Sequence, residues 1–527
     1  MVQILKFAWA ALFAVSVTAQ NSSSVNVPVP TPTPVSADYN GPLRPQVHFS
    51  PPQGFMNDPN GMFVDANGTW HLYYQYNPTG IVAGNQHWGH ATSNDLYHWV
   101  NQPIALSPPE ETVYVFSGSA VVDVNNTSGF FPGQDNGVVA MFTLARYYAD
   151  GTAGPQTQNI AYSRDGGYTF EYYNANPVID STSSQFRDPK VLWYEDHWAA
   201  VIAYSQEFNV GIWTSLDLKN WTFASNFTPH GLLGTQYECP NLKYVLAISI
   251  QPGAPLGGSI TEYFLGDFNG THFVPLDAVT RLTDFGKDNY AAQFFDGIPG
   301  NENQISIGWA SNWQYAQKVP TGNLEGWRSA MTVPRVNYLT EAPRIGLVMT
   351  EEPYDLSPVL DSQLKASTFI ENGTIALDYS SVESGALYLD INVTNINTTL
   401  LTDYSTLNIS FASPASGEIL QSGFYFSGDT PFFINRGGIK GFENVFFTDK
   451  LSTADVYSSG SGDALASWSM KAIIDRSIFE VFVDRGIHAG TVVFYPLQPL
   501  TALKLAARLP SGAHVSVDIW SLKRAWE

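Results

Sequence analysis

The chain has 527 residues, enough for two or three domains with sizeable cores. Its net charge of −22 argues against nucleic acid or an anionic membrane as partner, because phosphate binding needs clustered Lys and Arg. Charged residues make up 14% of the chain and aromatics another 14%, against roughly 25% charged in ordinary soluble domains; such a surface suits sugar rings.

The first segment, MVQILKFAWAALFAVSVTAQ, has an early Lys, a short apolar run and a small-residue end. It reads as a secretory signal over residues 1–19, and the protein is therefore expected to be secreted, extracellular or cell-wall associated. No later stretch is apolar and long enough to span a bilayer. Export predicts N-glycosylation at Asn-X-Ser/Thr triplets starting at Asn21, Asn67, Asn125, Asn126, Asn220, Asn226, Asn269, Asn372, Asn392, Asn397 and Asn408. A single cysteine, Cys239, excludes an intrachain disulfide. Residues 20–44 are rich in Ser, Thr and Pro and read as an extended leader that need not pack.

An internal repeat follows. His90 to Trp99, Ile160 to Phe170, Ile212 to Trp221 and Tyr263 to Phe273 each combine a short strand, a Ser/Asp/Gly turn and an aromatic opening another strand. The turns recur roughly every fifty to seventy residues, with apolar or alternating strands between them. A strand repeat of this size predicts propeller blades, and about four or five fit into residues 45–352. Beyond Pro353 the alternation continues without the blade turn, which predicts a linker and β-sandwich over 353–527.

Three carboxylates share one setting. Asp58 lies in Asn57-Asp58-Pro59-Asn60-Gly61, where the Pro-Asn-Gly turn holds it at a strand end. Asp188 lies in Phe186-Arg187-Asp188-Pro189, and Glu238 in Tyr237-Glu238-Cys239-Pro240. Each is near a blade start, and successive blade starts converge on one mouth of a propeller. Carboxylates so gathered suit glycoside cleavage, which needs one nucleophile and one proton donor. Glu238, between aromatic and apolar neighbours, is expected to be the acid; Asp58, among amides, is expected to stay ionised and attack. Asp188 beside Arg187 is expected to remain charged and stabilise an oxocarbenium-like state. Cys239 is expected to pack behind the acid, and His87, His90 and His98 to be structural or hydroxyl-binding rather than metal ligands.

Taken together, QGFMNDPNG, FRDPK and YECPN resemble glycoside hydrolase family 32, the invertases, exo-inulinases and related β-fructofuranosidases. Phe116-Ser117-Gly118-Ser119, the stretch from Asp284 to Ala291, Trp309 to Trp313, Trp327-Arg328-Ser329 and Asp475 to Phe482 match in the same order. The resemblance implies an all-β protein, a five-bladed β-propeller followed by a C-terminal β-sandwich. It implies retaining hydrolysis of sucrose and short fructo-oligosaccharides through a fructosyl-enzyme intermediate, with no metal and no cofactor, and a homodimer through the sandwich. By motif, Asp58 would be nucleophile, Asp188 stabiliser and Glu238 acid/base. Asn57, Asn60, Gln75, Trp88, Phe116, Ser117, Arg187, Asp288 and Trp313 would bind the sugar.

Two departures stand out. A Trp usual in the family aligns with Ala83, which raises the alternative of a sucrose fructosyltransferase. Asn241-Leu242 runs directly into Lys243-Tyr244-Val245, a shortened blade edge, which keeps open an inactive carbohydrate-binding propeller.

Overall fold

The computed structural model describes residues 33–526 except 229, 232, 244, 343–344, 430, 455–457 and 460–464. The expected signal segment and the first part of the leader lie outside the described residues. What is described is almost entirely strand: five sheets built around four strands each, then two larger sheets.

In chain order the blades open with Gly54–Val64, Val113–Val122, Phe186–Tyr194, Tyr237–Leu242 and Tyr290–Phe294. From each opener the sheet runs outward by antiparallel hairpins. These five openers neighbour one another in a closed ring, so they are the inner wall of a five-bladed propeller. The ring closes where Trp327–Arg328 pairs in parallel with Gly54 and Phe55, and where the Asp296 backbone bonds to Met62 and Val64.

The repeat read from the sequence is the hairpin between the third and fourth strands of a blade. In the first three blades a Ser-X-Asp turn closes it, and Asp95, Asp165 and Asp217 each accept backbone N–H groups two to four residues on. Asn269 does the same in the fourth blade, for Thr271 and His272. These Asx turns satisfy backbone donors locally, which is why the pattern recurs. At the shortened edge after Glu238, Leu242 pairs with Leu246, and Lys243 N–H donates to Val245 O at 3.1 Å. The edge sits at the opposite end of its strand from Glu238, so it leaves the mouth intact.

Residues from Leu360 to Leu522 form a seven-stranded and a six-stranded antiparallel sheet, packed face to face. Leu387, Leu389, Ile391 and Val393 alternate inward from one sheet, and Leu407, Ile409 and Phe411 from the other, as a sandwich requires. The end of the leader differs from expectation. Tyr39 stacks on Trp526 at 3.9 Å, and the Arg44 guanidinium lies against the Tyr39 and Trp327 rings, so these residues pack.

The two domains meet over buried charge. His48 spans Asp475 (2.9 Å) and Glu480 (3.1 Å) of the sandwich, all three fully buried. Burial alone would pull the imidazole down, but the bonds to Asp475 and Glu480 outweigh it and raise its pKa from 6.5 to about 9. A raised histidine contributes its full stability below pH 6.5 and loses it as pH rises through 9. The melting temperature is therefore expected to fall across that window. His48→Gln should melt lower at acid pH and lose much of this fall in a scanning calorimetry series; an unchanged profile would refute the assignment.

Candidate active site

All five inner strands break register near their starts. The breaks fall between Met56 and Pro59, Val115 and Gly118, Glu238 and Asn241, and Tyr290 and Gln293, and in the third blade between Arg187 and Lys190. A bulge takes side chains out of strict alternation and re-aims them. Asp188 (φ 64°) and Cys239 (φ 43°) are held in the left-handed region, a strained setting for residues with side chains and one that clusters at functional sites. At Gly61 (φ 51°) a Cβ would strike the Tyr73 and Trp88 rings, so the turn after Asp58 needs glycine.

These bulges surround a cavity of about 290 Å³ at the mouth of the ring. Asn57, Asp58, Gln75, Phe116, Ser117, Arg187, Asp188, Glu238 and Trp313 all line it. Three expected sugar-binding residues do not. Trp88 is fully buried in the core beside Tyr73 and Phe142, its indole N–H spent on Phe116 O (3.0 Å). Asn60 is fully buried and accepts the Gly118 N–H at 3.3 Å, shaping the neighbouring blade. Asp288 faces the sandwich: it pairs with Arg436 at 2.8 Å and accepts the Val493 N–H at 2.9 Å, a clip between domains.

Asp58 is held by one oxygen. Ser117 Oγ donates to its Oδ2 at 2.7 Å and the Cys239 thiol at 3.4 Å, while Oδ1 is buried without a hydrogen bond. Burial pushes its carboxyl up, the Ser117 bond opposes this, and the Glu238 charge adds to it. Asp188 accepts the Cys239 N–H at 3.0 Å and its own N–H donates to Thr143 at 3.0 Å. The thiol also reaches Asp188 Oδ2 at 3.7 Å, and burial pushes it well up, so Cys239 is a neutral donor bridging two acids rather than inert packing.

Two environments differ from expectation. The Arg187 guanidinium turns to Glu238 (2.7 Å) rather than to Asp188 (3.9 Å). Asp188 is consequently not held charged: burial outweighs Arg187, with Glu238 and Asp58 adding, and its pKa rises to about 7. Glu238 is not in an apolar surround either. Its Oε1 accepts from Arg187 and from Gln236 (3.1 Å), and its Oε2 from the Tyr290 hydroxyl.

The wall is completed by amides that the sequence reading missed, apart from Gln75: Gln86, Gln156, Gln185, Gln206, Gln236 and Gln251. Neutral amides both donate to and accept from hydroxyls, and they crown the carboxylates without adding charge. Trp313, packed on Trp309 at 4.7 Å, supplies an aromatic wall. Such a cavity, with clustered acids of unequal environment, a hydroxyl-binding rim and an aromatic face, is built for glycoside chemistry. Among the described residues no cluster of three or more His, Cys, Asp or Glu has the arrangement of a metal site.

Residues 48–346 match the model of the "Glycosyl hydrolases family 32 N-terminal domain", and residues 360–521 that of the "Glycosyl hydrolases family 32 C terminal". The chain belongs to glycoside hydrolase family 32. It is similar to an extracellular exo-inulinase of Meyerozyma guilliermondii, 42% identical over 474 residues, covering 86% of this chain and 90% of that protein. It is also similar to the invertase of Schizosaccharomyces pombe, 38% identical over 93% of this chain and 87% of the relative. The β-fructofuranosidase of Schwanniomyces occidentalis, solved with fructosyl-erythritol, superposes with a TM-score of 0.82 at 35% identity, over 92% of this chain and 99% of that one.

Proposed function

We propose that this protein is a secreted, retaining β-fructofuranosidase that hydrolyses sucrose and short fructo-oligosaccharides from the non-reducing fructosyl end. The observation that carries the reading is the one-sided tethering of Asp58 in the wall of the site: Oδ2 is held by Ser117 and Cys239, and Oδ1 has no hydrogen bond. A carboxylate oriented by one oxygen and free at the other is prepared for attack on an anomeric carbon.

The Asp58 carboxylate attacks the fructosyl anomeric carbon, and the bond to the leaving oxygen breaks. Glu238 gives that oxygen its proton. It is suited to this by position, since it is only partly buried at the mouth, where a leaving sugar exits, whereas Asp188 lies deeper. Deprotonated Glu238 then takes a proton from water, which attacks the same carbon and frees Asp58. Charge returning to Glu238 is stabilised by Arg187 and Tyr290. Asp188 supports the sugar hydroxyls.

Relatives named invertase and exo-inulinase favour hydrolysis over transfer to a second sugar. The extracellular relative supports secretion. Exposed Asn67, Asn125, Asn220, Asn226, Asn269, Asn372, Asn392 and Asn408 support N-glycosylation.

The test is product analysis. Purified protein should release equal glucose and fructose from dilute sucrose, and with methanol present should form methyl β-fructofuranoside, the retained anomer. Glucose well above fructose with trisaccharide in dilute sucrose would establish a transferase instead. The inverted methyl glycoside would exclude a nucleophilic Asp58.

A further inference from the structure

The outer face of the six-stranded sandwich sheet carries an aromatic patch far in sequence from the catalytic acids. On the strand Thr406–Ala412, Leu407, Ile409 and Phe411 turn into the core, so Thr406, Asn408 and Ser410 turn outward. Asn408 pairs with Gly423 on the next strand, and Gly423 with Phe433 on the strand after it. Tyr425 stands opposite Thr406. Its ring lies 5.8 Å from that of Phe433, at 36°.

Gly423 needs to lack a side chain. A Cβ there would lie 2.5 Å from Leu407 O and 3.0 Å from the Phe433 ring, and the same point is 3.2 Å from Asn408 Oδ1. The Phe433 ring is thus laid across the glycine until it borders the Asn408 amide. Gly423 is buried beneath it although this face looks outward. Asn408 itself is exposed, and Tyr425 keeps 42% of its surface open. Asn408 Nδ2 donates to Thr406 Oγ1 at 3.1 Å. A glycosylated asparagine keeps one N–H, so this bond survives attachment of a sugar and holds the amide beside the rings.

We infer that the first sugar of an N-linked glycan on Asn408 packs on Phe433 and Tyr425, so that this glycan is a structural part of the sandwich. The inference rests on the reading of the protein as exported, which makes Asn408-Ile409-Ser410 an acceptor triplet. In the attachment, Nδ2 takes the sugar from a lipid-linked oligosaccharide pyrophosphate. The N–C bond forms, the C–O bond to pyrophosphate breaks, and the amide gives up one proton. The N-acetylglucosamine so placed leaves Asn408 on the Gly423 side, where no side chain stands in its way. It lays its C–H face on the Phe433 ring, with Tyr425 beside it. Asn392 is the contrast. It is exposed on a strand of the other sheet, but its direct partners are Ser516 and Ser469, which offer no ring.

The experiment uses the full chain secreted from a yeast host, with glycopeptide mass spectrometry for occupancy and calorimetry for stability. Asn408 is expected to be occupied. Ser410→Ala, which removes the triplet and keeps Asn408, should lower the melting temperature by about 2 °C, whereas Asn392→Gln should leave it unchanged. Phe433→Ala should also melt lower, and the Phe433→Ala/Ser410→Ala double variant should lose less than the sum of the two single losses. Tyr425→Ala, at an exposed position, should show a smaller coupling of the same kind. Additive losses, an unshifted Ser410→Ala, or a bare Asn408 beside glycans elsewhere would overturn the packed glycan while leaving export standing. A secreted-host product with no glycan at any triplet would overturn the glycosylation reading, and this inference with it.

Discussion

Asp58→Ala is expected to lower kcat on sucrose by on the order of 10⁴-fold or more, with the melting temperature unchanged or slightly raised. Both halves follow from the same geometry. The loss of rate follows because alanine removes the carboxylate that Ser117 and Cys239 orient for attack. The preserved stability follows because a buried carboxylate with one oxygen unsatisfied is a cost to the fold, and alanine removes it. Glu238→Gln provides the contrast. It should slow sucrose by about 10²- to 10⁴-fold, yet nearly spare the first step on an aryl β-fructofuranoside whose phenol leaves without a proton. Asp58→Ala should lose both substrates equally. Sucrose turnover near the wild-type rate in purified Asp58→Ala would end the nucleophile assignment, and an aryl substrate slowed as much as sucrose by Glu238→Gln would end the acid assignment.

The meeting of three carboxylates at one mouth was legible in the sequence because its marks are local. Asp58, Asp188 and Glu238 each sit within two residues of a proline near the start of an inner strand, and the Ser-X-Asp turns mark the blade hairpins residue by residue. What was hidden is what depends on distant partners. Arg187 adjoins Asp188 in the chain, so it reads as that acid's counter-charge; in space it serves Glu238, 51 residues away. Asp288 precedes the fifth inner strand closely enough to look like pocket lining, but only the fold reveals Arg436 behind it, 148 residues on. The glutamines are scattered over four blades at no fixed spacing, and a lone Gln carries no sequence signal. Trp88 and Asn60 flank pocket residues, but their side chains point into the core.

Arg335→Ala is expected to cost about 3–5 kcal/mol of stability, the scale for removing one partner from a buried ionic cluster. Arg335 stands on the third strand of the fifth blade and reaches Glu351 (2.5 Å), Asp284 (3.2 Å) and Glu480 of the sandwich (2.6 Å), with its side chain 2% exposed. Even beside this guanidinium, burial holds Glu351 up at about 7. Without it the three carboxylates share a dry site in which His48 reaches Glu480 alone among the described residues, and their mutual repulsion is left uncompensated. Carboxyls raised in the folded state destabilise it above their ordinary pKa, so the variant should lose stability as pH rises from 4.5 to about 7, more steeply than wild type. Asp58, Asp188 and Glu238 make no contact with this cluster, so kcat at 25 °C should change little while the protein remains folded. Equal melting temperatures at both pH values would show that the cluster contributes nothing net. Calorimetry also reads the shape of the transition. Because the cluster joins a blade strand to a sandwich strand, separate melting of two domains in Arg335→Ala, where wild type melts once, would identify these charges as the coupling that makes propeller and sandwich unfold together.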